Sequence, residues 1–202
     1  MPYIKVISPS RASGRLAKIY DLVTGPGGQV DNVLQIHSLR PHTLEGHMAL
    51  YKSVLHHPRN KVPRWFLEAI GVRVSLLNDC DYCARHHSVG MERLLREEPE
   101  KYEACRAQLD EPRPGAPFSD AERAALGYVD RLTREPGSVG LEDVNRLRSA
   151  GLKDGHILEI NQVTAYFAYA NRTVLGLGCS IEGDVLGLSP NRSEDPDDWS
   201  HA

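Results

Sequence analysis

The sequence predicts an all-α protein, and three observations carry that expectation. Apolar residues recur at helical spacing, no stretch shows the every-second-residue alternation of a half-buried strand, and prolines and glycines fall where helices start and stop. With 202 residues, 41% hydrophobic and 25% charged, the chain is long enough to bury one good core and polar enough to be a globular domain.

The elements follow in order. After a loop near Pro9 to Ser13, Leu16, Ile19, Tyr20 and Val23 form one helical stripe, which Gly25-Pro26-Gly27-Gly28 ends. A short helical piece is expected over 31–37. Pro41 stands where a first turn would begin, ahead of Leu44, Met48, Tyr51 and Leu55, and Pro58 stops that helix. The next helix, over 65–78, carries Glu68 and runs into Cys80-Asp81-Tyr82-Cys83-Ala84-Arg85-His86-His87, and the CxxC helix continues through Met91 and Leu95 to Pro99. A short helix is expected over 102–109. The run 111–117 holds three prolines and a glycine and is read as an internal linker. Ser119 with Glu122 has the form of a capping box, opening a helix that Pro136-Gly137 closes. A short helix over 141–147 precedes a long one from Asp154, carrying Ile157, Ile160, Val163, Phe167, Asn171 and Val174. The domain is read as residues 1–188. The last fourteen residues, 189–202, set Arg192 against Glu194, Asp195, Asp197 and Asp198 and are read as an acidic, disordered tail.

That tail accounts for the whole net charge of −3, so the remainder is neutral overall. No lysine or arginine cluster offers a basic face to replace nucleic-acid counterions, which argues against that partner. No run approaches the 18 or so apolar residues of a membrane span, and the N-terminus lacks the layout of a signal peptide. A cytoplasmic chain is expected. Its four cysteines are therefore not read as a disulfide framework, and only Cys80 and Cys83 lie close in sequence. Two helices, over 65–78 and from Asp154, are apolar on more than one face, which leads us to expect a homo-oligomer.

The densest chemistry lies between Glu68 and His87. On a helix advancing about 100° per residue, Cys80 and His87 fall roughly 20° apart and Cys83 roughly 60° from Cys80, so all three share a face. Thiols at a helix N-terminus feel the macrodipole, which favours the thiolate. His87 follows Cys83 by four residues, the spacing at which side chains meet, so its imidazole can take up a thiol proton. Glu68 stands in an apolar stretch where a carboxylate needs a partner or a raised pKa. The stretch reads as a redox site.

Plainer explanations were weighed for the other polar residues. A lone CxxC can be half of a zinc site, but no second pair of spaced ligands supports it, and His56 and His57 lie at a helix end ahead of Pro58. His42, Glu45 and His47 match no zincin pattern. Gly176-Leu177-Gly178 reads as a helix end, Asn161, Asn171 and Arg172 as a hydrogen-bond network, and Cys105 and Cys179 as buried or incidental. Neither a metal nor an organic cofactor is expected.

Glu68, eleven residues, Cys80, two residues, Cys83, three residues and His87 together resemble the alkylhydroperoxidase D-like (AhpD-like) family within the carboxymuconolactone decarboxylase superfamily. The flanking Val74-Ser75-Leu76-Leu77-Asn78, His86-His87 and 167–172 resemble its peroxidase-related branch. The resemblance covers roughly residues 30 to 180, with its specificity concentrated in 68–87. It implies an AhpD-like helical oligomer and a thiol peroxidase, an antioxidant oxidoreductase acting on hydroperoxides. On that footing Cys83 attacks the peroxide, Cys80 resolves it through a redox-active disulfide, Glu68 and His87 relay the proton, and a dithiol such as a lipoyl protein supplies the electrons. It also implies that Cys83 titrates below the roughly 8.5 of a free thiol. One departure stands out: Tyr82 occupies the position where the best-known members carry a histidine. The alternative is a noncatalytic helical oligomer whose cysteine and histidine cluster binds metal or senses oxidants.

Overall fold

The computed structural model describes residues 1–195 and 198–200, and among these it is helical with no strand. Helix α4, defined below, forms the axis of the fold. In chain order the helices are α1 (Gly14–Val23), α2 (Asn32–Gln35), α3 (Pro41–Tyr51), α4 (Arg64–Leu77), α5 (Asp81–Leu94), α6 (Pro99–Asp110), α7 (Asp120–Arg134), α8 (Leu141–Ser149) and α9 (Asp154–Leu177). Helix α3 continues into a wider π-turn, Lys52–His56, before Pro58 ends it.

Every residue of α4 from Phe66 to Ser75 is buried, because α5, α6, α7 and α9 pack around it. Its all-round apolar character is therefore satisfied inside one chain, and the inference that it needs a second subunit loses that support. At Gly71 the ring of Phe167 from α9 comes so close that an added Cβ would stand 2.3 Å from its Cζ. Arg73, fully buried on the same helix, donates through Nε to Asp130 (2.7 Å) and through Nη1 to the carbonyls of Leu109 and Glu111 (both 2.7 Å). This one guanidinium ties α7 to the end of α6 and to the start of the proline-rich linker, satisfying carbonyls that the linker leaves unpaired.

Local signals act as expected at several ends. Ser119 Oγ accepts from the Glu122 amide (3.3 Å) while its own amide donates to Glu122 Oε2 (2.8 Å), a full capping box. Gly178 closes α9 in the left-handed conformation (φ 67°), open to glycine at no steric cost.

Of the stretch 189–202, residues 189–195 and 198–200 are described, and the rest lie outside the described residues. Trp199 is 6% exposed and packs with Leu16, Ile19, Tyr20 and Val23 of α1 and with Met48 of α3. Lys52, buried on the π-turn, donates from Nζ to Ser193 Oγ (3.1 Å), to the Asp198 carbonyl (2.5 Å) and to the Asp195 carbonyl. Arg59 pairs with Glu194 at 2.8 Å. One indole in an apolar cluster and one buried ammonium on a hydroxyl and two carbonyls thus anchor the described part of the segment.

Candidate active site

The α4 to α5 connection builds the thiol pair. The helix expected over 65–78 and the helix carrying the CxxC motif meet at a sharp corner. Asp79 takes a left-handed conformation (φ 53°), and Cys80 is the N-cap of α5 rather than a residue on its face. The Cys80 amide donates back to the Ser75 carbonyl (2.8 Å), which locks the corner. Cys83 then lies in the first turn of α5, where amide donors are still free. Both sulfurs are free thiols, Cys80 1% and Cys83 4% exposed.

The two thiols do not share their ionisation as expected. Cys80 is held below the ordinary thiol range, first by the hydrogen bond from the Cys83 thiol, and further by the Cys83 amide and Asn171. Cys83 is pushed well above that range, first because its own proton is committed to Cys80, then by burial and by the charge on Cys80. The expected low value at Cys83 is therefore corrected. The two thiols are coupled, so their ionisation belongs to the pair.

Glu68 and His87 meet directly. Glu68 Oε2 and His87 Nδ1 are 2.6 Å apart, with the carboxylate 4% exposed. Gly90, one turn beyond His87, makes room, since a Cβ there would stand 3.1 Å from Glu68 Oε2. Burial alone would raise the Glu68 carboxyl, but His87, through its charge and hydrogen bond, and the nearby Arg64 bring it below its ordinary value. The carboxylate is thus ionised and fixes the imidazole orientation, leaving the second ring nitrogen for proton exchange. Phe167 stands edge-on to the His87 ring, centroids 4.5 Å apart.

Cys83, Glu68 and His87 line one cavity of about 70 Å³, with Tyr51, Tyr166 and Trp199 on its apolar side. Cys80 does not line it, so Cys83 is the sulfur that a small molecule in the cavity would meet.

Several residues that sequence reasoning set aside or missed belong to this site. Asn171 was read as a structural polar residue of α9. It donates to Ser75 Oγ (3.1 Å), accepts from Asn78 (3.0 Å) and lowers the pKa of both thiols, so its influence extends to the sulfurs. Tyr82 does not enter the Glu68 and His87 pair. Its hydroxyl donates to Asp184 Oδ2 (2.5 Å) and accepts from the Val33 amide (3.1 Å), pinning α2 and the segment after α9 to α5. His47 is buried at the cavity, while His42 of the same sequence cluster is exposed. Burial takes His47 down to about 3 and, at the end of the π-turn, also takes His56 to about 3, so both rings are neutral near neutrality. Cys105 and Cys179 are raised by burial to about 11 and about 12 and stay protonated. Among the described residues no group of three or more histidine, cysteine or acidic side chains is placed to hold a metal ion.

No protein-family model matches the chain, and no curated protein matches it. Solved structures do. An AhpD-core, peroxidase-related protein from Ralstonia eutropha JMP134 superposes with a TM-score of 0.75 at 20% identity, covering 91% of this chain and 93% of the other. A peroxidase-related protein from Silicibacter sp. TM1040 gives 0.69 at 26% identity, over 81% and 83%. The chain is AhpD-like in fold. The debrominase Bmp8, solved with 2,3,4-tribromopyrrole, shares the AhpD-like frame at 0.67 and 18% identity, over 91% and 95%, so this frame carries more than one activity. Among the described residues of this AhpD-like chain, no helix is long and apolar enough to cross a membrane.

Proposed function

We propose that this chain is a thiol peroxidase that reduces hydroperoxides through a Cys80/Cys83 dithiol-disulfide cycle, with Glu68 and His87 as its proton relay. The observation that carries the reading is that Cys83 and a buried Glu68 and His87 pair at 2.6 Å line one cavity, with Cys80 packed in the same buried cluster as Cys83. The Cys83 sulfur, giving up its proton to Cys80, attacks the near peroxide oxygen. An S–O bond forms, the O–O bond breaks, and the departing alkoxide or hydroxide takes a proton from His87, which Glu68 stabilises as it changes charge. Cys83 is then a sulfenic acid. The Cys80 sulfur attacks it, forming the disulfide and releasing water, and an external dithiol, such as a lipoyl protein, returns two electrons.

For the alternative, a noncatalytic metal-binding oligomer, no group of three or more histidine, cysteine or acidic side chains among the described residues offers a ligand set. Debromination, the activity in the name of Bmp8, needs room for a halogenated ring. The cavity of about 70 Å³ is roughly half the 150 Å³ that accepts a benzene, so we favour the peroxidase reading. Free thiols at the centre of such a cycle fit a reducing compartment, and we place the chain in the cytoplasm.

Mass spectrometry after mild peroxide should show loss of two hydrogens in the wild type and a dimedone-trappable sulfenic acid in Cys80→Ser. Cys83→Ser should be at least roughly 100-fold slower in peroxide consumption. Wild-type rates in Cys83→Ser would overturn the assignment.

We also propose a homo-oligomer. Its support is the α9 face carrying Leu158 and Tyr169, 57% and 41% exposed and about 20° apart around the helix axis. Light scattering at micromolar concentration should give a multiple of the 22.5 kDa chain, and a monodisperse monomer would refute it.

A further inference from the structure

The cavity has a second wall, opposite in character to its aromatic side, which the peroxidase cycle does not use. Asp31 is the N-cap residue of α2, and an aspartate there ordinarily accepts from the first free amides of its helix. Here it makes no capping hydrogen bond. The amides are taken by others: Asn32 donates to Asp184 Oδ1 (3.0 Å), and Val33 donates to the Tyr82 hydroxyl (3.1 Å). Asp31 is thereby released from capping, and its buried Oδ1 has no hydrogen-bond partner among the described residues. Three more buried atoms of residues lining the same cavity share that condition: Gln29 Nε2, His47 Nδ1 and His86 Nε2, the last standing 3.4 Å from Asp184 Oδ2. His47 is only 4% exposed. A buried polar atom left unpaired has lost its hydration with nothing in exchange. Four around one small space are therefore not incidental packing, and they call for a ligand that both donates and accepts hydrogen bonds.

Size decides which ligand. About 70 Å³ holds a molecule of a few heavy atoms and is too small for a ring, for which about 150 Å³ is needed. Resting on the peroxidase reading, we propose that Gln29, Asp31, His47 and His86 form a peroxide-positioning subsite that selects hydrogen peroxide over bulky organic hydroperoxides. Hydrogen peroxide has two O–H donors and acceptor lone pairs on both oxygens. Asp31 Oδ1 accepts from one O–H, and Gln29 Nε2 donates to an oxygen. His47 and His86 each offer a ring nitrogen whose role is set by its tautomer. An aryl hydroperoxide has a single O–H donor, and its ring has no room. Burial, helped by Asp184 and opposed by His86, raises the Asp31 carboxyl to about 6, so near neutrality it is predominantly an acceptor and still able to exchange a proton. Tyr82, at the position where the family resemblance has a histidine, takes part indirectly, by occupying the amide that Asp31 would otherwise cap.

The test is single-turnover formation of the Cys80–Cys83 disulfide, measured with hydrogen peroxide and with cumene hydroperoxide, each divided by its rate with a small model dithiol. In the wild type the normalised preference for hydrogen peroxide should be at least tenfold. Asp31→Asn and, independently, Gln29→Leu, each with its fold checked by circular dichroism, should raise the hydrogen peroxide concentration needed for half-maximal rate at least tenfold. The cumene hydroperoxide rate should change far less, so the preference collapses; a merely structural role would lower both rates together. Equal normalised rates in the wild type, or parallel losses with both peroxides in both variants, would overturn the subsite and leave the peroxidase reading standing. No disulfide with any peroxide would overturn both.

Discussion

Cys80 and Cys83 differ by three positions and take opposite ionisation, and the difference is geometric. Cys80 stands at the N-cap position of α5 and is held below the ordinary thiol range chiefly by the neighbouring Cys83 thiol, while Cys83 is left to ionise beside an existing negative charge. Thiolate absorbance at 240 nm should therefore rise in two steps in the wild type, one below and one well above the roughly 8.5 of a free thiol. The lower step should survive in Cys83→Ser and vanish in Cys80→Ser; a lower step that follows Cys83 instead would refute this account. Glu68 adds a pH dependence of stability. Its folded pKa lies below the ordinary value, so the folded state holds fewer protons than the unfolded one as pH falls into the carboxylate range. The stabilisation is fully present above the unfolded pKa of about 4.3 and is lost as pH falls through the folded value. Glu68→Gln should be less stable than the wild type at pH 7 and lose that deficit in strong acid.

At the scale of elements, what the sequence made legible is what depends on local spacing. The stripe of α1, the Pro41 start of α3, the Ser119 and Glu122 box and the close of α9 are each decided within a few residues, and each is found. Glu68 and His87 are nineteen positions apart on two helices, yet the motif spacing was enough to suggest their meeting. The positive φ of Asp79 at the corner between the two helices was not legible, because a non-glycine residue in that region leaves no strong mark in a sequence. It sets Cys80 at the N-cap position of α5 rather than on its face. The far wall of the cavity was hidden for another reason. Asn32 meets Asp184 across 152 positions and Val33 meets Tyr82 across 49, contacts that no periodicity encodes. Read singly, Asp31 is a helix cap and Gln29 a loop residue; only the fold shows that the capping work has been handed to Tyr82 and Asp184.

At the scale of the whole molecule, the C-terminal segment lies against the helices and forms part of the cavity wall. Trp199 lines the cavity and stacks near Tyr51, ring centroids 6.4 Å apart, and Ser189 and Pro190 line it as well. The segment is held by Trp199 in an apolar cluster, by Lys52 among three acceptors and by Arg93 donating to Ser189 Oγ at 2.6 Å. None of these ties passes through α4, whose core is complete without them. Losing one should release the segment locally rather than unfold the domain. Truncating a buried tryptophan ordinarily costs about 3–5 kcal/mol, but the cost here is capped at the docking energy of the segment, because the rest of the chain stays folded once it lets go. Trp199→Ala and Lys52→Met should therefore give the same result by different routes. The main thermal transition should move little, limited proteolysis between 189 and 200 should speed up, and a bulky disulfide reagent should label Cys83 at least roughly tenfold faster than in the wild type. The preference for hydrogen peroxide over cumene hydroperoxide should narrow in parallel, because the wall that excludes the ring has gone. If both variants are cleaved faster within the segment while Cys83 labelling keeps its wild-type rate, the segment does not control access to the thiol.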